Sequence, residues 1–222
     1  TAIGSLDGAG QNGGDNNVVY QIVGQPLGVF YLPHCKGLVK NENGSYFYDI
    51  EDLDHNGNVD LSDGGDRYIA GQATPKVILG SNISFRYKNY YISIQMNGAF
   101  GHKIFNGTGL AYTSMACFPD YNVLKDAPKK NIIDQRVSDY WLEKGDYLNF
   151  EHLTIGYNVP LRSKLIRSLR VSCNISNIGT ITGYKGLTPM INSYVVNSTM
   201  GIDDKRNYPL YRTYSLGLSV QF

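Results

Sequence analysis

The stretch that most restricts the fold is the last one, Tyr211-Arg-Thr-Tyr-Ser-Leu-Gly-Leu-Ser-Val-Gln-Phe222. Tyr214, Leu216, Leu218, Val220 and Phe222 share one face of an extended chain, and Thr213, Ser215, Gly217, Ser219 and Gln221 the other. Strict period-two alternation is the signature of a strand with unlike faces. Final residues are commonly polar and frayed, whereas this strand ends on an aromatic ring that something must cover. Two arrangements do that: a buried strand of a β-sandwich, or a strand of a closed barrel in a membrane, where every edge is satisfied.

The same alternation recurs upstream. Val77, Leu79, Ser81, Ile83, Phe85 and Tyr87 lie on one face, followed by the two-residue turn Lys88-Asn89. Tyr90, Ile92, Ile94, Met96, Gly98 and Phe100 form the matching face of the next strand. Leu153, Ile155, Tyr157 and Val159, then Leu169, Val171, Cys173 and Ile175, give two more. Leu148 to Glu151 falls out of phase, which predicts a bulge or a crossing out of the membrane band. The apolar faces carry no charge, while Arg86 and Arg170 fall on polar faces. Tyr87, Tyr90, Tyr91, Tyr157, Tyr211 and Tyr214 cluster near strand ends, as in an interfacial girdle. Connections alternate short (88–89, 160–168) and long (101–146, 179–210), the pattern of periplasmic turns and external loops. A sandwich has no reason to sort its loops this way. The fold expected is therefore all-β, an antiparallel transmembrane β-barrel segment with long extracellular loops. Five or six strands are too few to close such a barrel, so the chain reads as the C-terminal strands of a larger one.

Residues 1–76 read as an extracellular loop region with short strands, and 77–222 as barrel strands and loops. Short strands are expected at Val18 to Val23, Val29 to Leu32 and Tyr46 to Ile50, with a loop over 33–45. Helical pieces are expected around Ile132 to Trp141. Thr1 to Ser5 lacks the basic and apolar regions of a signal peptide and reads as a mature or internal start. No apolar run reaches the roughly 18 residues of a membrane helix.

The sharpest chemical pattern is Asp52-Leu-Asp-His-Asn-Gly-Asn-Val-Asp-Leu-Ser-Asp63. Calcium takes several oxygen ligands around one point, and a twelve-residue loop presents them from alternate positions. Here those are Asp52, Asp54, Asn56, the Asn58 carbonyl, Asp60 and Asp63, with Gly57 at the sharp turn. One structural Ca²⁺ is the expectation. No helix precedes the loop, so it is a calcium-type insert rather than a paired EF-hand.

Other chemistry is excluded or weak. Twenty Lys plus Arg against 19 Asp plus Glu leave a net charge of +1, no footprint for nucleic acid. Gly8, Gly10 and Gly13 match a dinucleotide fingerprint, yet no strand precedes them and no helix follows. Cys35, Cys117 and Cys173 fit neither a disulfide framework nor a zinc site. His34, His55, His102 and His152 stand in no hydrolase motif, so no catalytic residues and no enzyme are expected. The loop aromatics, Trp141 among them, are read as packed rather than as sugar-stacking platforms, and substrate-binding residues are not identifiable.

At this point a family resemblance emerges. It is carried by Gly24-Gln-Pro-Leu-Gly-Val-Phe-Tyr31, Asp52 to Asp63 with Asp66-Arg67, Gly71-Gln-Ala-Thr-Pro-Lys76, and Gly101-His-Lys-Ile-Phe-Asn106. Gly145 to Tyr157, Leu169-Arg-Val-Ser, Tyr184-Lys-Gly186, Tyr208-Pro209 and Thr213 to Phe222 complete it. In order and spacing these resemble the C-terminal barrel portion of the SusC/RagA family, TonB-linked outer-membrane transporters of Bacteroidetes. The resemblance implies a barrel of about 22 strands with a plugged lumen, embedded in outer-membrane lipid and importing oligosaccharides or oligopeptides. It implies three protein partners: the N-terminal plug and barrel portion of the same transporter, a SusD-like surface lipoprotein as lid, and the TonB system reached through that N-terminal portion. It also implies that Tyr214, Leu216, Leu218, Val220 and Phe222 form an outer-membrane assembly signal. The alternative reading is a small self-contained β-barrel or surface binding module with a calcium-stabilised loop.

Overall fold

The computed structural model describes residues 1–5, 17–62, 64–162, 165–191, 200–205 and 208–222. Asp63 and the glycines at 8, 10 and 13 therefore lie outside the described residues. Among the described residues the strands are β1 (Ala2–Ser5), β2 (Asn17–Tyr20), β3 (Val29–Leu32), β4 (Cys35–Lys40), β5 (Tyr46–Ile50), β6 (Tyr68–Gln72), β7 (Val77–Tyr87) and β8 (Tyr90–Phe100). The chain continues with β9 (Lys103–Asn106), helices α1 (Gly107–Thr113) and α2 (Ala127–Lys130), β10 (Leu142–Lys144), β11 (Tyr147–Val159), β12 (Ser168–Thr182), β13 (Ile202–Asp203) and β14 (Thr213–Gln221). No described helix is long and apolar enough to cross a membrane.

The chain divides into two compact units. One comprises Lys76–Phe100, Asp146–Gly183 and Pro209–Phe222. It is a five-stranded antiparallel meander in the order β14-β12-β11-β8-β7. Its strands follow the alternation of the sequence, so register carries the faces across the sheet. Ile94 pairs with Ile83 on one side and Leu153 on the other, and Leu153 pairs with Ile175. Opposite lies a polar ladder: Ser84 Oγ and Ser93 Oγ are 3.0 Å apart, and Thr154 Oγ1 donates to Asn174 Oδ1 at 2.9 Å.

The phase break expected in β11 is a bulge. Phe150 pairs with Met96 and His152 with Gln95, so Glu151 is one residue in excess of β8. The insertion moves the apolar set from even positions (Leu148, Phe150) to odd ones (Leu153, Ile155) while both stay on the Met96–Ile94 face. On β12, Asn177 takes φ of 53° at the same level. β12 runs to Thr182, beyond the Ser176 expected from alternation, because this irregularity interrupts the period that marks a strand. Among the described residues, β7 and β14 are each paired on one side only.

The other unit comprises Thr1–Pro75, Gly101–Gly145 and Tyr184–Tyr208. Its buried core gathers Val18, Val19, Phe30, Leu32, Phe105, Leu110, Ile132, Trp141 and Ile202. It holds a four-stranded sheet β1-β2-β3-β6, a three-stranded sheet β10-β9-β13 and the hairpin β4-β5. β4 occupies part of the 33–45 stretch expected as loop. The Ile132 to Trp141 stretch has no regular structure apart from a bridge at Ile132 and a 3-10 turn at Asp139–Trp141, and the regular helices lie earlier, at α1 and α2. Tertiary packing overrides helix propensity in the 132–141 stretch: Ile132 is fully buried and bridges Tyr46.

Candidate functional site

The acidic loop is shaped by side chains that accept from its own backbone. Asp52 Oδ2 accepts from Gly57 N at 2.8 Å, and Asp54 Oδ1 from Asn56 N at 3.1 Å. Asn56 Oδ1 accepts from Asn58 N at 2.8 Å, and Asp60 Oδ1 from Ser62 N at 2.9 Å. Gly57 has φ of 89°, in the left-handed region that favours glycine, as the sharp turn at that position requires. The Gly57 and Ser62 amides respectively hold the Asp52 and Asp60 carboxyls below the usual range.

The residue that closes the loop is Asp66, only 2% exposed. Its Oδ1 accepts from Leu53 N at 2.6 Å and Asp54 N at 3.3 Å, and its Oδ2 from Asp60 N at 2.8 Å. One carboxylate oxygen each from Asp52, Asp54 and Asp66 lie within 4.8 Å of one another. Oxygens bound to a common calcium at about 2.4 Å can be at most about twice that distance apart, a bound that this trio meets. Of the six residues in the expected ligand set, Asp52 and Asp54 are brought together here. Asp60 is not part of the carboxylate trio, Asn56 and Asn58 serve as loop-turn partners, and Asp63 lies outside the described residues. Asp66, beside Arg67, stands past the twelfth position of the motif, so the spacing does not mark it as a ligand. Arg67 anchors the loop base: its Nη2 donates to Leu61 O at 2.8 Å and its Nη1 to Asn17 O at 2.9 Å.

In the same unit Asp139 gathers three donors. Its Oδ2 lies 2.6 Å from His34 Nδ1 and accepts from Tyr68 Oη at 2.7 Å, while Oδ1 accepts from Cys35 N at 2.7 Å. Burial, then the Asp139 carboxylate, raises the Tyr68 hydroxyl well above its ordinary value. Trp141 is 6% exposed and its Nε1 donates to Tyr48 Oη at 2.8 Å, so it is committed to the core, as its reading as a packed aromatic requires.

On the sheet, the polar face carries Glu151, turned there by the bulge. Its Oε2 accepts from Gln95 Nε2 at 3.1 Å and Asn97 Nδ2 at 3.0 Å. Nearer the short turns, Arg170 lies 5.3 Å from the centre of the Tyr91 ring and donates through Nε to Asn158 Oδ1 at 2.9 Å. Of the strand proposed as an assembly signal, Leu216 and Leu218 are exposed on the outermost strand with Tyr214 and Val220, and Phe222 follows the last paired residue.

No family model matches the chain. It is 27% identical over 231 residues to the TonB-dependent receptor P3 of Formosa agariphila, covering 90% of this chain and 22% of the relative. It is 26% identical over 224 residues to the TonB-dependent receptor SusC of Bacteroides thetaiotaomicron, covering 95% of this chain and 21% of that protein. Among solved structures, the RagAB peptide importer in its open-open state aligns with a TM-score of 0.68 at 17% identity over 93% of this chain and 24% of that one. A structure of the RagAB peptide transporter gives 0.66 at 16% identity, with 93% and 25% coverage. The chain spans about a fifth of the curated relatives' length. The five-stranded antiparallel sheet is a barrel-wall segment of the kind found in these receptors. In sequence and in fold, the chain resembles the barrel portion of the SusC/RagA family of TonB-linked outer-membrane transporters.

Proposed function

We propose that this chain forms part of the wall and loops of a TonB-dependent outer-membrane importer of large nutrients, oligosaccharide or oligopeptide. The observation that carries the reading is the meander β7-β8-β11-β12-β14, which keeps one face apolar and the other polar through a bulge that would otherwise exchange them. A wall between lipid and an aqueous lumen needs that division along every strand. The one-sided pairing of β7 and β14 is consistent with further strands supplied by the rest of the transporter. The likeness to SusC and RagAB supports a SusD-like surface lipoprotein as partner and energy coupling through TonB outside this chain.

The acidic loop would hold one Ca²⁺ through Asp52, Asp54 and Asp66, with remaining oxygens from the loop. Calcium suits a flexible all-oxygen set, and zinc prefers nitrogen and sulfur. Its role would be to neutralise three crowded carboxylates and order a loop at the cavity mouth.

The test is uptake by cells carrying the full-length protein. Import of labelled oligosaccharide or oligopeptide that stops on removal of TonB, with a lipoprotein co-purifying in detergent, is the expected result. A detergent-solubilised 222-residue chain that is monodisperse, binds no partner and supports no uptake would overturn the reading in favour of a self-contained barrel.

A further inference from the structure

The sheet's two ends differ in charge, and the charged side chains at the short-turn end are basic. No Asp or Glu occurs between residues 77 and 100 or between 153 and 182. Arg86 lies near the end of β7 and Lys88 in the β7–β8 turn, Arg162 and Arg167 lie in the β11–β12 connection, and Arg170 lies near the start of β12; all are exposed. These cations belong to one end, because Asn158 N donates to Asn89 O at 2.8 Å and Arg167 N to Gln221 O at 2.7 Å. Two of them lie over aromatic rings, Lys88 over Tyr87 and Arg170 over Tyr91, each 5.3 Å from the ring centre.

The same connection also exposes apolar side chains. Leu165 is 80% exposed between two arginines, and Leu161 precedes Arg162 with its side chain partly in the open. A turn surrounded by water gains nothing from a bare leucine. A turn at the headgroup boundary buries leucine among acyl chains while its arginines stay at the polar level. Tyr87, Tyr90 and Tyr157, the last two in tilted contact with ring centres 4.6 Å apart, sit at the strand ends of the same level, where aromatic girdles mark the interface.

We propose that the short-turn end docks the anionic phospholipid of the membrane leaflet it borders, Arg162 and Arg167 binding headgroup phosphates while Leu165 inserts beneath them. The inference rests on the barrel reading above and adds a lipid preference to it. Charge complementarity selects the occupant: an all-basic rim beside acyl-seeking leucines matches an anionic bilayer surface, whereas free phosphate would leave the leucines uncovered.

The test presents the full-length transporter, purified in neutral detergent, with equimolar phosphatidylglycerol and phosphatidylcholine and reads bound lipid by native mass spectrometry. The wild type should retain phosphatidylglycerol preferentially, with the preference falling as salt rises. Replacing Arg162→Gln and Arg167→Gln should weaken it by about five-fold for each arginine lost, and Leu165→Ser should lower retention of both lipids. Should the double variant not assemble, the wild type's selectivity and salt dependence decide alone. A protein that inserts normally but retains both lipids equally overturns this inference and leaves the barrel reading standing. A protein that inserts into no bilayer overturns both.

Discussion

The ring of Tyr91 lies over Gly156, its register partner on the neighbouring strand, so closely that a Cβ added to Gly156 would stand 2.0 Å from Tyr91 Cε1. Arg170 approaches the same ring. The glycine is the space the tyrosine occupies.

This reverses the usual effect of replacing glycine in a strand. Alanine ordinarily favours a strand by reducing unfolded-state freedom. Here Gly156→Ala should push the ring aside and cost about 1–3 kcal/mol. Urea unfolding of the lipid-reconstituted protein measures the loss. In a Tyr91→Ala background the same substitution should cost almost nothing, so a double-mutant cycle isolates the contact.

The two faces of the sheet should differ sharply in their tolerance of charge. Ile94 sits among Ile83, Leu153 and Ile92 on the apolar face. Ile94→Arg should destabilise the inserted barrel by about 2–4 kcal/mol if it lies near the bilayer midplane. Ser93→Arg, one residue away on the polar ladder, should be tolerated. Folding yields into liposomes compare the pair, and equal outcomes would count against the membrane assignment.

Asp66 should matter more to the acidic loop than any residue within the twelve-residue pattern. Asp66→Asn replaces an acceptor oxygen with a donor facing backbone amides, at about 1–3 kcal/mol for the loop. It also removes one of the three carboxylates that face one another. Calcium titration by calorimetry should show lost binding, with Asp52→Asn having the same effect on calcium and less on the apo loop.

The pH dependence of that site follows from its backbone donors. Asp52, a member of the trio, is held below its ordinary value by the Gly57 amide. A depressed carboxyl contributes fully above its unfolded value of about 3.9 and loses its contribution as pH falls through the lower folded value. Calcium affinity should therefore be level near neutrality and collapse only below about pH 4. A collapse centred on pH 6 to 7 would point to histidine instead.

Trp141 is the sole tryptophan and reports on the unit it helps to pack. Replacing Tyr48 with Phe removes the acceptor of its indole N–H and leaves a buried donor unmet, costing about 1–3 kcal/mol. The emission of Trp141 should register the earlier unfolding of this unit in denaturant.

The strands of the sheet were legible in the sequence because alternation is a property of the extended backbone itself, in which successive side chains point to opposite faces. That is why Val77 to Phe100, Leu153 to Val159 and Thr213 to Phe222 could be placed residue by residue, and why the slip at Leu148 to Glu151 announced a bulge. The sharp turn at Gly57 and the meeting of Asp52 with Asp54 were equally local. Tertiary structure alone decided what depends on residues far apart in the chain. Asp66 joins the acidic trio because the backbone folds back through Gly65, where a Cβ would stand 2.3 Å from Asp60 O. Gly156 is meaningful only beneath Tyr91, and the core of Phe30, Phe105, Ile132 and Ile202 draws its members from four separate segments with no shared period. Pattern reveals which way a side chain points; which neighbour it meets is fixed by packing, and packing is set by the whole chain at once.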